Sequence, residues 1–218
     1  MFLMDDTYVF QFKSELLGYR PKMWRRFQVM SDITVAELGY NVLTLYEMEG
    51  EHLMSIDFLH RGRTKSGRPS KKIDVIARFG FSDDRWDDRD KKATDYIIGE
   101  LNLGKTAFLV VRYDFGDDWR VMLTLEKVFD ESELGLVELP RVLEGEGYGI
   151  IEDCGGPYGL MQLAEAIKTR EGPVYEHYSE WLDEEDVDLY TFDVDDMNIN
   201  LQIGMGRYIR RYEEGRWP

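Results

Sequence analysis

Five carboxylates in two short stretches are the residues of this chain most capable of chemistry. Asp114, Asp117 and Asp118 lie in Tyr113-Asp114-Phe115-Gly116-Asp117-Asp118-Trp119, and Glu152 and Asp153 lie in Glu152-Asp153-Cys154-Gly155-Gly156-Pro157. Carboxylate oxygens are hard ligands, so a meeting of the two stretches would hold Mg²⁺, Mn²⁺ or Ca²⁺ and open a route to metal-assisted hydrolysis. The same acids have a plainer use. Asp117 and Asp118 can bond turn amides around Gly116, and Asp153 can cap the Gly155-Gly156 turn or the helix start near Pro157. The spacing matches no standard ion-binding loop, so both uses stay open. A contact site at this meeting would comprise Asp114, Asp117, Asp118, Trp119, Glu152, Asp153 and Tyr158, with the acids facing a cation or a basic partner and Trp119 and Tyr158 adding contact area.

Other constellations are thinner. His52, His60 and His177 are scattered without ligand spacing, and Cys154 with His177 as a distant base is the one conceivable nucleophilic pair. No GxxxxGK[ST] loop and no zinc pattern occurs. Catalytic residues are therefore not assigned, and the sequence leans away from an enzyme.

The elements that must position these residues read as follows. Strands are expected at residues 8–13, 23–29, 52–58, 73–79, 106–112 and 121–126, from alternation of apolar and polar side chains. The stretch 113–119 then connects the last two as a decorated hairpin. A helix follows Thr34, whose spacing to Glu37 makes a capping box, with Leu38, Val42, Leu45 and Tyr46 on one face. Helices are further expected over 94–103, 158–168, 174–182 and 194–208, with the tail from Arg207 fraying. Residues 139–147 read as a Pro/Gly-punctuated crossover. Trp86 anchors a charged loop over 82–92. The arrangement predicts one α+β domain over 1–218, a curved and mainly antiparallel sheet packed against helices.

Charge narrows the partners. The net charge is −16, with 12 Lys/Arg against 10 Asp/Glu in residues 1–80 and 15 against 33 in residues 81–218. Such an acidic surface disfavours phosphate backbones and anionic membranes and accommodates cations more readily. An acidic array can also mimic DNA and block a DNA-binding protein, a weaker third reading that requires regular rows of exposed carboxylates. One segment opposes the trend: residues 60–72 hold six Lys/Arg and no acid. It can contact phosphate, or it can be a solvated hairpin loop, and the lack of interleaved aromatics favours the loop. Arg25 and Arg26 sit side by side on a strand and so point to opposite faces, leaving at least one as a surface charge. No apolar run nears the ~18 residues of a membrane span. The lone cysteine excludes an internal disulfide, and together with an acidic N-terminus it points to the cytoplasm.

The ordered motifs Arg20-Pro21-Lys22-Met23-Trp24-Arg25-Arg26, Tyr113 to Trp119, Leu139-Pro140 to Gly145, Glu152 to Gly159, His177-x-x-x-Trp181-Leu182, Phe192-Asp193 and Asn198 resemble the plasmid Ri open-reading-frame-three-like family, from about Tyr8 to Leu201. The resemblance implies a single α+β domain with largely antiparallel strands, a mobile-element association and no assigned activity. Some members carry a transposon-passenger or resolvase-like label. That label does not transfer here, because a serine-resolvase reaction needs a hydroxyl among arginines and a basic DNA-binding element. Relative to the family pattern, Val121, Gly39 and Met54 stand where histidines are common. Either this chain has lost a functional set, or those histidines are not catalytic. The reading is a cytosolic partner-binding module without established catalysis, with a divalent-metal-dependent hydrolase as the alternative.

Overall fold

The computed structural model describes residues 7–64, 66, 68–81, 90–179 and 188–216. Trp86, the expected anchor of the charged loop, and Trp181, in the helix expected over 174–182, lie outside them. Eight strands form one sheet: β1 (Tyr8–Leu16), β2 (Trp24–Met30), β3 (Met54–Arg63), β4 (Pro69–Gly80), β5 (Lys91–Lys92), β6 (Ala107–Tyr113), β7 (Trp119–Asp130) and β8 (Arg141–Glu146). Their order is β5-β4-β3-β6-β7-β1-β2-β8, and every pairing is antiparallel except the short β4–β5 contact. The helices are α1 (Val35–Leu45), α2 (Glu131–Leu134), α3 (Gly156–Thr169), α4 (Pro173–Ser179) and α5 (Val194–Tyr212). The fold is α+β, as its alternating strands and separately grouped helices dictate.

Helix α1 begins where the Thr34 hydroxyl accepts from Glu37 N and the Glu37 carboxylate accepts from Thr34 N, the reciprocal capping expected from the spacing. Every residue of α1 except Glu37 is buried. The helix is sunk into the core alongside Phe12, Phe27, Ile56, Leu109 and Leu123 of the sheet. Gly39 makes that depth possible: a Cβ there would lie 2.8 Å from both Met54 Cε and Phe81 Cζ.

Four expectations change. Residues 94–103 form no helix but two 3-10 turns, Ala93–Asp95 and Ile98–Glu100. The extended residues Tyr96 and Ile97 separate the two turns, and Gly99 in the second donates its N–H to Ser31 O at 2.8 Å. Residues 139–147 are not a crossover; their core is β8, the edge strand on β2. The basic run is not one long loop, because β3 and β4 extend through most of it and leave only a short tip. Finally, α5 continues past Arg207 to Tyr212. Tyr208 and Tyr212 stack on Tyr40 at 5.8 and 5.9 Å, and their hydroxyls donate to Met48 O and His52 O.

The neighbouring arginines divide as strand geometry requires. Arg26 faces outward between Glu126 and Glu144. Arg25 is fully buried and forms no salt bridge with a carboxylate among the described residues. Its guanidinium donates to the carbonyls of Leu45, Trp24, Glu146 and Tyr148 and lies 3.8 Å over the Phe192 ring. Burial lowers its pKa to about 10, so it stays charged at neutral pH. This one side chain ties the end of α1 to β2, β8 and the segment before α5.

Candidate functional site

The two acidic stretches meet. The first is a five-residue turn between β6 and β7, closed by Asp118 N donating to Asp114 O at 2.6 Å and by Gly116 N donating to Asp114 Oδ1 at 2.9 Å. The second is the turn into α3, with Asp153, Gly155 and Gly156 at positive φ. Asp117 Oδ2 accepts from Gly155 N at 3.1 Å, which ties one turn to the other. Their backbones press so closely that a Cβ on Gly156 would sit 2.3 Å from Asp117 O. Only glycine, free of a Cβ and tolerant of φ +70°, permits this approach.

At the meeting point lies His52, on the segment leading into β3. Its Nε2 is 3.2 Å from Glu152 Oε2 and 3.7 Å from Asp153 Oδ1, and its Nδ1 is 3.8 Å from Asp114 Oδ2. One ligand atom each from His52, Asp114 and Asp153 fall within 4.8 Å of one another. Glu152 sits deeper. Its Oε1 accepts from Glu49 N and from the Tyr113 hydroxyl, both at 2.8 Å. Its Oε2 is buried and makes no hydrogen bond among the described residues, with the His52 Nε2 at the ion-pair distance of 3.2 Å. Burial raises the Glu152 pKa, opposed by the Glu49 amide, Tyr113 and His52.

Tyr113 holds this arrangement from below. Its hydroxyl donates to Glu152 and accepts from Gly50 N at 3.0 Å and Glu51 N at 3.1 Å, while its ring meets His52 edge-on at 5.7 Å. Burial, followed by the Glu152 charge, pushes its pKa up, so the hydroxyl remains a donor. Donor and acceptors are thus oriented by the β6 terminus, the α1–β3 loop and the turn into α3 together.

The remaining site residues separate from this centre. Asp117 is occupied by the Gly155 amide. Asp118 pairs with Arg112 at 3.1 Å and Arg120 at 3.2 Å, which neutralise it on the strands of its own hairpin. Trp119 was expected to offer contact area to a partner; it is fully buried and belongs to the core. Tyr158, on the first turn of α3, is 68 % exposed. The Cys154–His177 pair is not supported as a nucleophile. Cys154 is buried with its thiol pushed up to about 12, first by burial and then by Asp117, whereas an activated thiol is shifted down. His177 instead lies against Tyr178, and His60 bonds Thr106 at 2.7 Å.

His52 is the residue that spacing did not reveal. It stands 62 residues from Asp114 and 100 from Glu152 in the chain, so no local pattern connects them. Only pairing of β3 with β6, which sets Met54 opposite Tyr113, brings His52 beside Asp114.

A solved structure shares this arrangement of elements. A crystal structure of a protein of unknown function, MM3350 from Methanosarcina mazei Go1, matches with a TM-score of 0.69 and 27 % identity, covering 88 % of this chain and 97 % of that one. The uncharacterized protein y4hQ of Sinorhizobium fredii (strain NBRC 101917 / NGR234) is 32 % identical over 107 residues, 48 % of this chain. That match spans about half of the relative's own length, 52 %. Residues 8–201 match the family described as plasmid pRiA4b ORF-3-like protein, the stretch that carries the whole sheet and the acid–histidine centre. By that match over most of its length, the chain belongs to the plasmid pRiA4b ORF-3-like family.

Proposed function

We propose that the protein binds a divalent metal ion, Zn²⁺ or the harder Mn²⁺, through His52, Asp114 and Asp153, with the inner Glu152 carboxylate 3.2 Å from the imidazole. The observation that carries this reading is the convergence of one imidazole and two carboxylates within 4.8 Å, delivered by three separate segments. Mixed nitrogen and oxygen donors suit Mn²⁺ and Zn²⁺ better than Mg²⁺ or Ca²⁺, which favour oxygen alone. The buried, unbonded Glu152 Oε2 beside His52 supports it, because a buried carboxylate oxygen is costly without a cation or donor.

Calorimetric titration with each of the four ions tests the reading. Mn²⁺ or Zn²⁺ binds to the wild type, and affinity falls at least tenfold in His52→Ala and in Asp114→Asn. At a hundredfold excess over Kd the ion stabilises the fold by about 2.7 kcal/mol, visible as a higher Tm. Absence of binding removes the proposal.

A second reading, docking of a basic partner surface on the same acids, is supported by Asp153, whose side chain is 73 % exposed, and by Tyr158 at the rim. A divalent ion at this position would supply Lewis acidity for hydrolysis. Turnover of a phosphate or carboxylic ester that depends on added ion and is lost in Glu152→Gln would favour the hydrolase over a purely binding role.

A further inference from the structure

The β3–β4 hairpin runs beyond the rest of the sheet. The ladder between β3 and β6 ends at His60↔Ala107, with one more bond from Arg61 N to Thr106 O, and past it β3 pairs only with β4. On the other side, β5 reaches only Phe79 and Gly80. Along Pro69–Ile76 the outer edge of β4 therefore has no strand partner among the described residues. An unpaired edge presents a row of backbone donors and acceptors spaced to receive another strand.

The side chains on this edge are not those of a blunted one. Ile73, Val75 and Ile76 are 44 %, 59 % and 56 % exposed. Around them Arg61, Arg68, Lys71 and Lys72 are exposed as well, and the one acid on the edge, Asp74, pairs with Lys72 at 2.8 Å and leaves Arg61, Arg68 and Lys71 in excess. The residues outside 60–72 carry −22, so this arm is a cationic patch on an anionic body.

We propose that the β4 edge is a docking site for an extended acidic segment of a partner protein, which adds as a strand alongside Pro69–Ile76. Backbone pairing supplies the affinity, alternate aliphatic side chains pack on Ile73 and Val75, and alternate carboxylates, on the opposite face, reach Lys72. Charge complementarity selects an acidic occupant. A nucleic acid fits less well, because the arm offers exposed aliphatic side chains but no aromatic for base stacking, and the anionic body repels a long phosphate chain. A second copy of this chain fits less well too, since two β4 edges would bring like cationic arms together.

The probe is a fluorescein-labelled alternating peptide, (Glu-Val)5, with (Lys-Val)5 and a 12-residue oligothymidylate as comparisons, followed by fluorescence anisotropy on the full chain. The expected result is saturable binding of (Glu-Val)5 alone, weakened as salt rises, with slowed hydrogen exchange in residues 69–76. Binding falls at least tenfold in the surface variant Lys71→Glu/Lys72→Glu and in Val75→Pro, which removes a backbone donor; circular dichroism confirms that each variant is folded. Four results overturn the proposal: no binding of (Glu-Val)5, equal binding of both peptides, preference for the oligonucleotide, or concentration-dependent self-association that buries β4. None of these readouts involves the His52 centre, so this inference and the metal reading fail independently.

Discussion

Two buried side chains show how far local identity decides behaviour in this protein. Arg25 would be a liability in any apolar interior, since an uncompensated buried charge is costly. Here four carbonyls and an aromatic face replace its water. Arg25→Met keeps much of the volume but strands those carbonyls, each unmade bond costing about 1–3 kcal/mol. Urea denaturation is expected to show a loss above about 3 kcal/mol, with Arg25→Lys only partly restoring stability, because a single ammonium cannot reach all four acceptors. Cys154 makes the opposite point, a reactive residue type made inert by place. With its thiol held up to about 12 in the fold against an ordinary value near 9, the folded state retains the proton that the unfolded state releases. Stability is accordingly lost as pH rises from about 9 toward 12, and Cys154→Ser loses that part of the alkaline dependence. In native protein at pH 8, dithionitrobenzoate is expected to label Cys154 slowly and in denaturant at once.

At the scale of elements, the strongest local signals are those that close within a few residues. The Thr34–Glu37 box begins α1 in the structure where its spacing placed it. Thr34→Ala is expected to cost about 1 kcal/mol, read from the urea midpoint at unchanged slope. Elements whose ends depend on distant packing are less legible. Helix α5 outlasts its apolar pattern because Tyr208 and Tyr212 reach across to Tyr40 and to the backbone of the α1–β3 loop. Strand β8 hides behind a proline and two glycines, yet the edge of β2 and the Asn198 side chain, which bonds both N and O of Val142, hold it extended.

For the whole molecule, charge is the property most open to manipulation. The −16 total is concentrated after residue 80, so self-repulsion opposes compaction at low ionic strength. Raising NaCl from 50 to 500 mM is expected to raise Tm by a few degrees, since screening weakens repulsion among exposed acids more than it weakens half-buried pairs such as Asp57–Arg78. A flat or falling Tm would mean that ion pairs dominate the balance.

Taken alone, the amino-acid order determined most of the sheet-forming and helix-forming stretches, though not β8 or the 3-10 turns of residues 93–100, together with the α+β class and the two turns rich in carboxylates, because alternation, capping and glycine placement act over a few residues. It also contained the family motifs from Tyr8 to Leu201. The tertiary structure decided which carboxylates share a centre. Asp114, Glu152 and Asp153 converge while Asp117 and Asp118 are taken up by an amide and two arginines, and Trp119 turns into the core. It alone joined His52 to them, since that contact depends on the register of β3 against β6 and on two glycine-bearing turns touching backbone to backbone, relations that lie across the fold and leave no periodic trace along the chain.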